Sequence, residues 1–314
     1  MEEISVMNSL YAPPVDVPTS VWSSMPEHFR VRGQVSSWSA ANKPGQEVDC
    51  FLEGPSFDRS GNLWLVDIPW GRIFKVSPAG EWSLVIQYDG WPNGLKIHKD
   101  GRVFIADYRR GILVLDPESA KLETLIHHRY SESFRGCNDL VFASNGDLYF
   151  TDQGQSGLHQ PDGRVFRYSA TGKLDCLISN APSPNGLVLN ETETILYVAM
   201  TRQNAVWRLP FMVDGGVSKV GLFVQLSGGL SGPDGMALFN DGGIAVAHAG
   251  MGTVWTFDRL GEPVHRVRAA TGLTTTNVAF GGPQNDRLFI TDSDGGNVLM
   301  AQLDSPGRPM YSHA

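Results

Sequence analysis

Six related segments follow one another along most of the chain, and this repetition constrains the fold more than any other feature. Each segment begins with an acid or amide residue, runs through an apolar stretch and a turn, and ends in a second apolar run. The leading residues stand 40, 45, 47, 49 and 43 positions apart and are Glu53, Asn93, Asn138, Asn185, Asp234 and Asn277. This period is typical of β-propellers, in which each repeat is one four-stranded blade.

The sequence between the leading residues supplies the further strands of each blade. In the first repeat the hairpin "FDRSGNLWLV" is followed by the β-rich runs "GRIFKV" and "EWSLVIQ". Apolar runs separated by turns that contain Gly, Asn and Asp predict antiparallel strands. Five repeats have four such runs, whereas the sixth ends after its third run, "GNVLMAQL". The sequence therefore predicts an all-β protein, a six-bladed β-propeller of four-stranded blades.

The last blade needs a fourth strand from elsewhere, because an incomplete blade would leave the ring open and expose a sheet edge. The stretch "HFRVRGQVSSWSA", residues 28–40, contains alternating apolar residues. We expect this N-terminal stretch to provide the closing strand. Residues 1–24, with several Pro and Ser, are predicted to form a surface arm, and residues 25–314 a single propeller domain.

The charge balance argues against several classes of partner. The chain has 25 Lys and Arg against 33 Asp and Glu, a formal net charge of −8, and no basic run. Nucleic acids and anionic membrane surfaces are therefore not expected as partners. The N-terminus starts acidic and lacks the basic and apolar blocks of a signal peptide, so a cytoplasmic location is expected. Three cysteines without C-x-x-C spacing indicate neither a disulfide framework nor a thiolate metal site.

The six leading residues begin the innermost strands and are expected to surround the mouth of the central tunnel. Asn-Gly and Asp-Gly are also common turn formers, so a turn is the alternative interpretation of each pair. Glu53 and Asn277 share the register without being good turn residues, which favours a site. Two carboxylates, Glu53 and Asp234, together with amide oxygens would bind one divalent cation. Ca²⁺ suits such a site best, and Mg²⁺ or Mn²⁺ are alternatives.

Four motifs at the leading positions resemble those of a known family. They are "EGP" at residues 53–55, "ND" at 138–139, "PNG" at 184–186 and "PDGM" at 233–236. In this combination the chain resembles the gluconolactonase and regucalcin (senescence marker protein) family of metal-dependent β-propeller lactonases. The resemblance implies Glu53, Asn185 and Asp234 as metal ligands, and Asn138 as a contact to the metal or to the substrate.

The resemblance also implies a catalytic role for Asp234, whose counterpart transfers the proton while it touches the metal. Asp139, next to Asn138, is the rival catalytic base, and a carboxylate that caps backbone amides at a strand end is its alternative interpretation. Family members with a basic residue two positions before this Asn use it on the substrate, but here that position is Gly136. Arg135, one residue further back, is a candidate substitute.

Substrate specificity is expected from side chains around the mouth. The candidates for substrate binding are Asn138, Asn93, Gln153, His159 and His248. Gln153 and His159 lie in a long loop, where they are either hydrogen-bond partners of sugar hydroxyls or ordinary solvated residues. His248 is either a site residue or a packed group. The candidates for an apolar wall, with packing between blades as the alternative for the aromatic residues, are Trp70, Trp91, Tyr108 and Met251.

Lactone hydrolysis requires a polarised carbonyl and an activated water, and one divalent ion can serve both needs. The chain has no G-x-S-x-G elbow, so no serine nucleophile is indicated. We therefore predict a metal-dependent hydrolase that opens the ring of a sugar lactone, with a small-molecule lactone as its partner. Two alternatives remain: a hydrolase of non-sugar lactones or organophosphates on the same metal platform, and a non-catalytic propeller that binds proteins.

Overall fold

Each of the six repeats folds into one antiparallel sheet of a propeller. The structure, a computed structural model, describes residues 12–314. Two strands, β1 (Val15–Pro18) and β2 (Ser20–Ser24), precede the first repeat. Blade 1 consists of β3 (Leu52–Phe57), β4 (Leu63–Asp67), β5 (Arg72–Val76) and β6 (Trp82–Gln87). Blade 2 consists of β7 (Pro92–Ile97), β8 (Val103–Asp107), β9 (Gly111–Asp116) and β10 (Lys121–Ile126).

The remaining blades repeat this arrangement after a small hairpin of β11 (His128–Arg129) and β12 (Glu132–Ser133). Blade 3 consists of β13 (Cys137–Phe142), β14 (Leu148–Asp152), β15 (Gly163–Tyr168) and β16 (Leu174–Ala181). Blade 4 consists of β17 (Pro184–Leu189), β18 (Ile195–Met200), β19 (Ala205–Pro210) and β20 (Gly221–Gln225). Blade 5 consists of β21 (Gly232–Leu238), β22 (Ile244–Ala249), β23 (Thr253–Phe257) and β24 (Pro263–Arg268). Blade 6 contains β25 (Thr275–Gly281), β26 (Arg287–Asp292) and β27 (Asn297–Gln302).

Helices are few and short. The α-helix α1 spans Ser37–Asn42, and single 3₁₀ turns span Glu27–Phe29, Ile68–Trp70, Thr201–Gln203 and Tyr311–His313. Within residues 12–314, no helix has the length and apolar character needed to span a membrane.

The innermost strands β3, β7, β13, β17, β21 and β25 surround the central tunnel, and each contacts the innermost strands of both neighbouring blades. Strand β4 is buried at every position because neighbouring blades cover both of its faces. The outer strand β6, in contrast, consists of half-buried and exposed residues. The apolar core therefore lies between the blades, and the tunnel is available for polar groups. The predicted six-bladed propeller is confirmed.

Every innermost strand is irregular near the start of its repeat. The register between the first and second strands of each blade shifts at the leading residue or directly beside it. A bulge of this kind changes the direction of the local side chain and is frequent beside active sites. Five of the six leading residues consequently line one cavity at the tunnel mouth.

The glycines that follow leading residues allow close contact between blades. The Asn-Gly and Asp-Gly pairs of blades 2, 4 and 5 lie within β7, β17 and β21, so the turn interpretation of these pairs is wrong. A Cβ atom on Gly186 would collide with the backbone oxygen of Asp234, and one on Gly235 with the amide oxygen of Asn277. Glycine is required here because the neighbouring inner strand passes directly beside its Cα atom.

An N-terminal strand closes blade 6, as expected, but it lies at a different place in the sequence. Strand β2 pairs antiparallel with β27, and its Trp22 packs edge to face on Phe289 with ring centroids 5.1 Å apart. Strand β1 adds to blade 5, parallel to β24. The N-terminal segment therefore joins the last two blades to each other.

The prediction that residues 28–40 supply this strand is wrong. Ser36 is the N-cap of α1, and its hydroxyl accepts a hydrogen bond from the backbone N–H of Ser39, so the chain begins a helix there. The described part of the expected arm, residues 1–24, instead contributes the two strands β1 and β2. Residues 1–11 of that arm lie outside the described residues.

The C-terminal segment, residues 304–314, lies across the other end of the tunnel. The backbone N–H of Arg308 donates to the carbonyl of Leu238 at 2.8 Å, and the Ser312 hydroxyl donates to the carbonyl of Phe57 at 3.0 Å. Tyr311 stacks on Phe142 with ring centroids 4.9 Å apart. Together with the innermost strands, this segment encloses an apolar cavity of about 220 Å³.

Candidate active site

The opposite mouth of the tunnel opens into a cavity of about 720 Å³. The first residues of the innermost strands meet at this end because all of these strands run in the same direction along the tunnel. Seven of the sequence-predicted site residues line the cavity: Glu53, Asn93, Asn138, Gln153, His159, Asn185 and Asp234. The structure thus brings together residues from five blades.

Glu53 is held deep in the tunnel by hydrogen bonds from its neighbours. It is 3% exposed, and its Oε2 atom accepts from the backbone N–H of Gly54 at 2.8 Å and from Asn277 Nδ2 at 2.9 Å. The same Asn277 Nδ2 atom lies 3.3 Å from Asp139 Oδ2. Asn277 therefore bridges two carboxylates and fixes their relative positions. Of the six leading residues, it is the one that does not line the cavity.

Asp234 opens partly to the cavity and shares its electrostatic environment with Glu53. Loss of hydration in the tunnel raises the pKa of Glu53, and it raises the pKa of Asp234 well above its ordinary value. Repulsion from Glu53 and Asp139 adds to the rise at Asp234, whereas the positive charge of Arg202 opposes it. In the described residues, neither Glu53 nor Asp234 forms an ion pair. Negative charge is therefore concentrated here without a basic partner.

The donor set fits a hard divalent cation. Such an ion prefers oxygen ligands and would offset the charge of Glu53 and Asp234. Asn138 donates through Nδ2 to Gln153 Oε1 at 3.1 Å, which leaves its amide oxygen as a candidate ligand beside that of Asn185. Residues 12–314 contain no group of three or more His, Cys, Asp or Glu side chains able to hold a metal. A site here would rely on amide oxygens in addition to two carboxylates.

Hydrogen bonds connect the amide side chains of the cavity wall. Gln153 accepts from Asn138 and donates through Nε2 to the Ser183 hydroxyl at 3.0 Å. This chain joins blades 3 and 4 and fixes the orientation of both amides. His159, in contrast, is exposed at the rim.

Asp139 lies beside the tunnel axis but does not line the cavity. It is 3% exposed, and its Oδ1 atom accepts from the backbone N–H of Leu140 at 2.8 Å and lies 4.0 Å from Lys96 Nζ. Space for this carboxylate exists because Gly94 has no side chain: a Cβ atom there would lie 2.6 Å from Asp139 Oδ1. The bond to Leu140 is of the amide-capping type, and the role of Asp139 as a base stays a prediction.

His248 is placed away from the cavity lining. It is fully buried, its Nδ1 atom accepts from Trp255 Nε1 at 3.2 Å, and a Cβ atom on Gly229 would lie 2.5 Å from its Nε2 atom. Burial lowers the pKa of His248, which favours the neutral imidazole. These contacts are those of a packed group, and no contact with a substrate is available without movement of the segment around Gly229.

One wall of the cavity is aromatic. Trp91 and Tyr108 line it with ring centroids 5.8 Å apart, whereas Trp70 and Met251 do not line it. Tyr108 also accounts for the glycine at position 136, because a Cβ atom there would collide with the tyrosine ring. A basic side chain at position 136 is thus excluded by packing.

Arg135 does not take the place of that basic residue in the cavity. Its guanidinium forms ion pairs with Asp162, in the loop that follows β14, at 3.0 Å and with Glu132 of β12 at 3.5 Å. The cavity lining in the described residues does not include Arg135.

Sequence analysis missed several lining residues, including Trp38, Phe51 and Arg202. Trp38 lies on α1 and packs against Phe51 with ring centroids 4.9 Å apart. The spacing of Ser36 and Ser39, which form a capping box, is a signal that could have revealed the helix and with it this part of the wall. Arg202 follows β18 in a 3₁₀ turn and has no sequence signal of its own.

Comparison with known proteins agrees with this architecture. Residues 51–294 match the family model described as SMP-30/Gluconolactonase/LRE-like region. The chain belongs to this family. The family expected from the sequence motifs is confirmed. A relative from Staphylococcus aureus (strain MRSA252), named lactonase drp35, is 32% identical over 282 residues, which cover 83% of this chain and 84% of the relative.

Two solved structures share the fold. Regucalcin from Agrobacterium tumefaciens, described as a calcium-binding protein, superposes with a TM-score of 0.75 and 22% identity, over 95% of this chain and 99% of the other. A gluconolactonase from Xanthomonas campestris superposes with a TM-score of 0.71 and 22% identity, over 94% and 99% of the two chains. At this level of identity the superpositions support the fold alone.

Proposed function

We propose that this chain is a lactonase that opens the ring of a sugar lactone with one divalent cation, Ca²⁺ in preference to Mg²⁺ or Mn²⁺. The lactonase class is supported by family membership and by the curated relative named lactonase drp35. The cation is supported by the donor set and by a structural neighbour described as calcium-binding. A cytoplasmic location, and the absence of nucleic-acid and membrane partners, stay predictions.

The observation that carries the proposal is the pairing of two uncompensated carboxylates, Glu53 and Asp234, inside a ring of amides that opens to a cavity. Glu53, Asn185 and Asp234 would hold the cation, with Asn138 as a fourth contact. Such a cation supplies Lewis-acid polarisation of the lactone carbonyl and lowers the pKa of a bound water.

The chain's own residues orient the substrate and move the proton. Asp234 opens to the cavity and is the proposed base that takes a proton from the attacking water, and Asp139 is the rival. The water oxygen bonds to the carbonyl carbon, the bond between this carbon and the ring oxygen breaks, and Asp234 returns its proton to the ring oxygen, which becomes a hydroxyl. Asn93, Asn138, Gln153 and His159 are proposed partners of substrate oxygens. A role for His248 would require movement of the segment that covers it.

The test is a panel of sugar lactones and simple lactones, with ring opening followed by pH change in the presence and absence of a chelator. We expect at least one sugar lactone to be opened and the activity to be lost on chelation and restored by Ca²⁺. Undiminished hydrolysis by a sample shown to be metal-free by elemental analysis would refute the role of the cation.

A second candidate, hydrolysis of a non-sugar lactone, is favoured by the aromatic wall. Trp91 and Tyr108, together with Trp38 and Phe51, give the cavity an apolar side that polyhydroxylated rings do not require. The same panel separates the two candidates, because an aryl-substituted lactone would then be opened with a higher kcat/KM than any sugar lactone. Trp91→Ala would lower the activity on the aryl-substituted lactone more than on a sugar lactone.

A further inference from the structure

The rim of the cavity carries one permanently charged basic side chain. Among the residues that line it, within the described chain, Arg202 is the sole Lys or Arg. Its neighbours in the lining that carry charge are the carboxylates Glu53 and Asp234, which lie deeper in the tunnel. A cation that offsets these two carboxylates would leave the positive charge of Arg202 as the net charge of the cavity.

The backbone around Arg202 is fixed by bonds to two segments that carry candidate ligands. The backbone N–H of Thr201 donates to the carbonyl of Ser183 at 3.0 Å, and its hydroxyl donates to the carbonyl of Pro233 at 2.8 Å. Ser183 and Pro233 precede the strand residues Asn185 and Asp234 by one or two positions. The 3₁₀ turn therefore holds Arg202 at a set position between blades 4 and 5.

The guanidinium of Arg202 is not engaged by the protein. It is exposed, and among residues 12–314 it has neither a hydrogen bond nor an ion pair. In blades 1 and 3, Asp67 and Asp152 at the end of the second strands bind Arg72 and Arg164, which begin the third strands, at 2.5 Å. The second strand of blade 4 ends in Met200 instead, so no carboxylate stands at that position near Arg202.

A second nitrogen-bearing side chain lies beside Arg202. A Cβ atom on Gly157 would lie 3.1 Å from His159 Nδ1 and 3.7 Å from Arg202 Cγ, so these two side chains flank the same glycine. His159 also lacks a hydrogen-bond partner among residues 12–314 and lines the cavity. Two side chains that can donate hydrogen bonds, Arg202 and His159, therefore lie at the same region of the rim without a hydrogen-bond partner among residues 12–314.

We propose that Arg202, with His159 beside it, binds an anionic substituent of the substrate, so that the enzyme prefers acidic lactones to neutral ones. The inference rests on the proposed lactonase function and specifies its substrate class. A carboxylate or a phosphate would satisfy the planar guanidinium with two parallel hydrogen bonds. The lactone carbonyl would meanwhile lie over Glu53 and Asp234, since the anionic substituent is held at the rim.

The experiment compares matched lactones in the cation-loaded protein. The probes are glucono-δ-lactone, its 6-phosphate, and a monolactone of glucaric acid, which carries a carboxylate. In Arg202→Gln we expect the ratio of kcat/KM for an acidic lactone to that for the neutral one to fall about 10- to 100-fold, mostly through KM, as is usual when a charged hydrogen bond is lost. Arg202→Lys should retain part of the preference, since it keeps the charge without the fork of donors.

The control is Arg208→Gln, which removes an exposed arginine of β19 that does not line the cavity. It should keep the wild-type ratio. The phosphate and carboxylate probes separately show which anion the rim accepts. A ratio in Arg202→Gln equal to that in Arg208→Gln, for both acidic probes, would overturn the inference.

Calorimetric binding of the ring-opened acids gives a readout that does not depend on turnover. Gluconate 6-phosphate or glucarate should bind the wild type more tightly than gluconate does, and Arg202→Gln should abolish the difference. If the wild type opens no lactone but shows this binding pattern, the lactonase proposal fails and anion recognition stands. If neutral lactones are opened and no variant changes the binding pattern, the inference about Arg202 fails by itself.

Discussion

The two ends of the tunnel are formed by the same six strands, yet their side chains have opposite character. Asn93, Asn138, Asn185 and Asp234 surround the open mouth, and the residues four positions later in the same strands, Ile97, Phe142, Leu189 and Leu238, line the closed end. Four residues of strand correspond to about 13 Å. A short length of β-structure thus separates a polar cavity of about 720 Å³ from an apolar one of about 220 Å³.

This difference shows how the fold can tolerate a site that is costly to build. Buried carboxylates deep in the tunnel destabilise the folded state, because they lose hydration and, among the described residues, gain hydrogen bonds but no ion-pair partner. At the closed end, buried apolar side chains and the bonded C-terminal segment stabilise it. The open end is therefore expected to determine activity, and the closed end stability.

The largest expected effect is at the open end. Asp234→Asn keeps an oxygen ligand of similar shape but removes the base and one negative charge. We expect kcat to fall by about 10²- to 10⁴-fold and metal affinity to decrease, with no recovery of kcat at saturating metal, while the metal-free protein remains folded. Activity assays across a metal titration, with unfolding curves of the metal-free protein, measure both.

The matched variant Asp139→Asn separates the two candidate bases. It should leave metal affinity nearly intact and reduce kcat to the same degree only if Asp139 is the base. Recovery of Asp234→Asn at high metal, with an inactive but metal-loaded Asp139→Asn, would reverse the assignment.

At the closed end we expect a substitution to have an effect of comparable free energy, but on stability and not on activity. Phe280 is 3% exposed in the apolar cluster between blades 5 and 6, and Phe280→Ala should lower the free energy of unfolding by about 3–5 kcal/mol. The value of kcat/KM should change little, because the residue lies far from the open mouth. Urea unfolding and steady-state kinetics test this, with the exposed Leu273→Ala as a near-neutral control. A large loss of kcat in folded Phe280→Ala would break the division between the two ends.

Removal of the cation should affect both properties, and stability less than activity. An ion bound only by the folded state stabilises it by about 2.7 kcal/mol at a concentration 100 times its Kd. We expect a chelator to lower the melting temperature of the wild type and to have a much smaller effect on Glu53→Gln. Identical melting curves of the loaded and the metal-free wild type would show that the folded state binds no cation, and an equal effect of the chelator on Glu53→Gln would place the cation outside this site.

The smallest effect is expected in the C-terminal segment. Ser312→Ala removes the hydrogen bond to the carbonyl of Phe57 and should cost about 1 kcal/mol of stability, with kcat/KM unchanged. Chemical unfolding of this variant beside Asp304→Ala, an exposed position of the same segment, measures the bond. If the two variants were equally stable, the hydrogen bond of Ser312 would not contribute to the stability of the fold.

The repeat made the overall fold predictable, since the leading residues fix both the number of blades and the end at which they meet. The closing strand was not predictable in detail. Residues 20–24, Ser-Val-Trp-Ser-Ser, are short and do not alternate, whereas residues 28–40 contain alternating apolar residues, and only pairing with β27 shows which stretch forms the strand. The capping box of Ser36 and Ser39 is a local signal for the helix that the sequence prediction did not use.

The sequence predicted most residues of the site, but not which of them are buried away from the cavity. Register placed Glu53 and Asp234 at the mouth, whereas the burial of Asp139 and His248 depends on side-chain direction and on the glycines that make room for them. Arg202 had no signal, because an exposed arginine in a single 3₁₀ turn looks like any surface residue until the neighbouring blade is in place. Burial and contacts that depend on the neighbouring blade cannot be predicted from the sequence of a single repeat.

The joining of β2 to blade 6 also determines the order in which the molecule can form. Residues 20–24 leave the ribosome long before their partners in β27, so the ring stays open until β27 has been synthesised. Contacts between such distant parts of a chain slow folding, and an unclosed last blade exposes strand edges on which chains aggregate. We therefore expect the yield of native protein to be higher when the unpaired N-terminal strands are prevented from pairing with another chain before β27 is available.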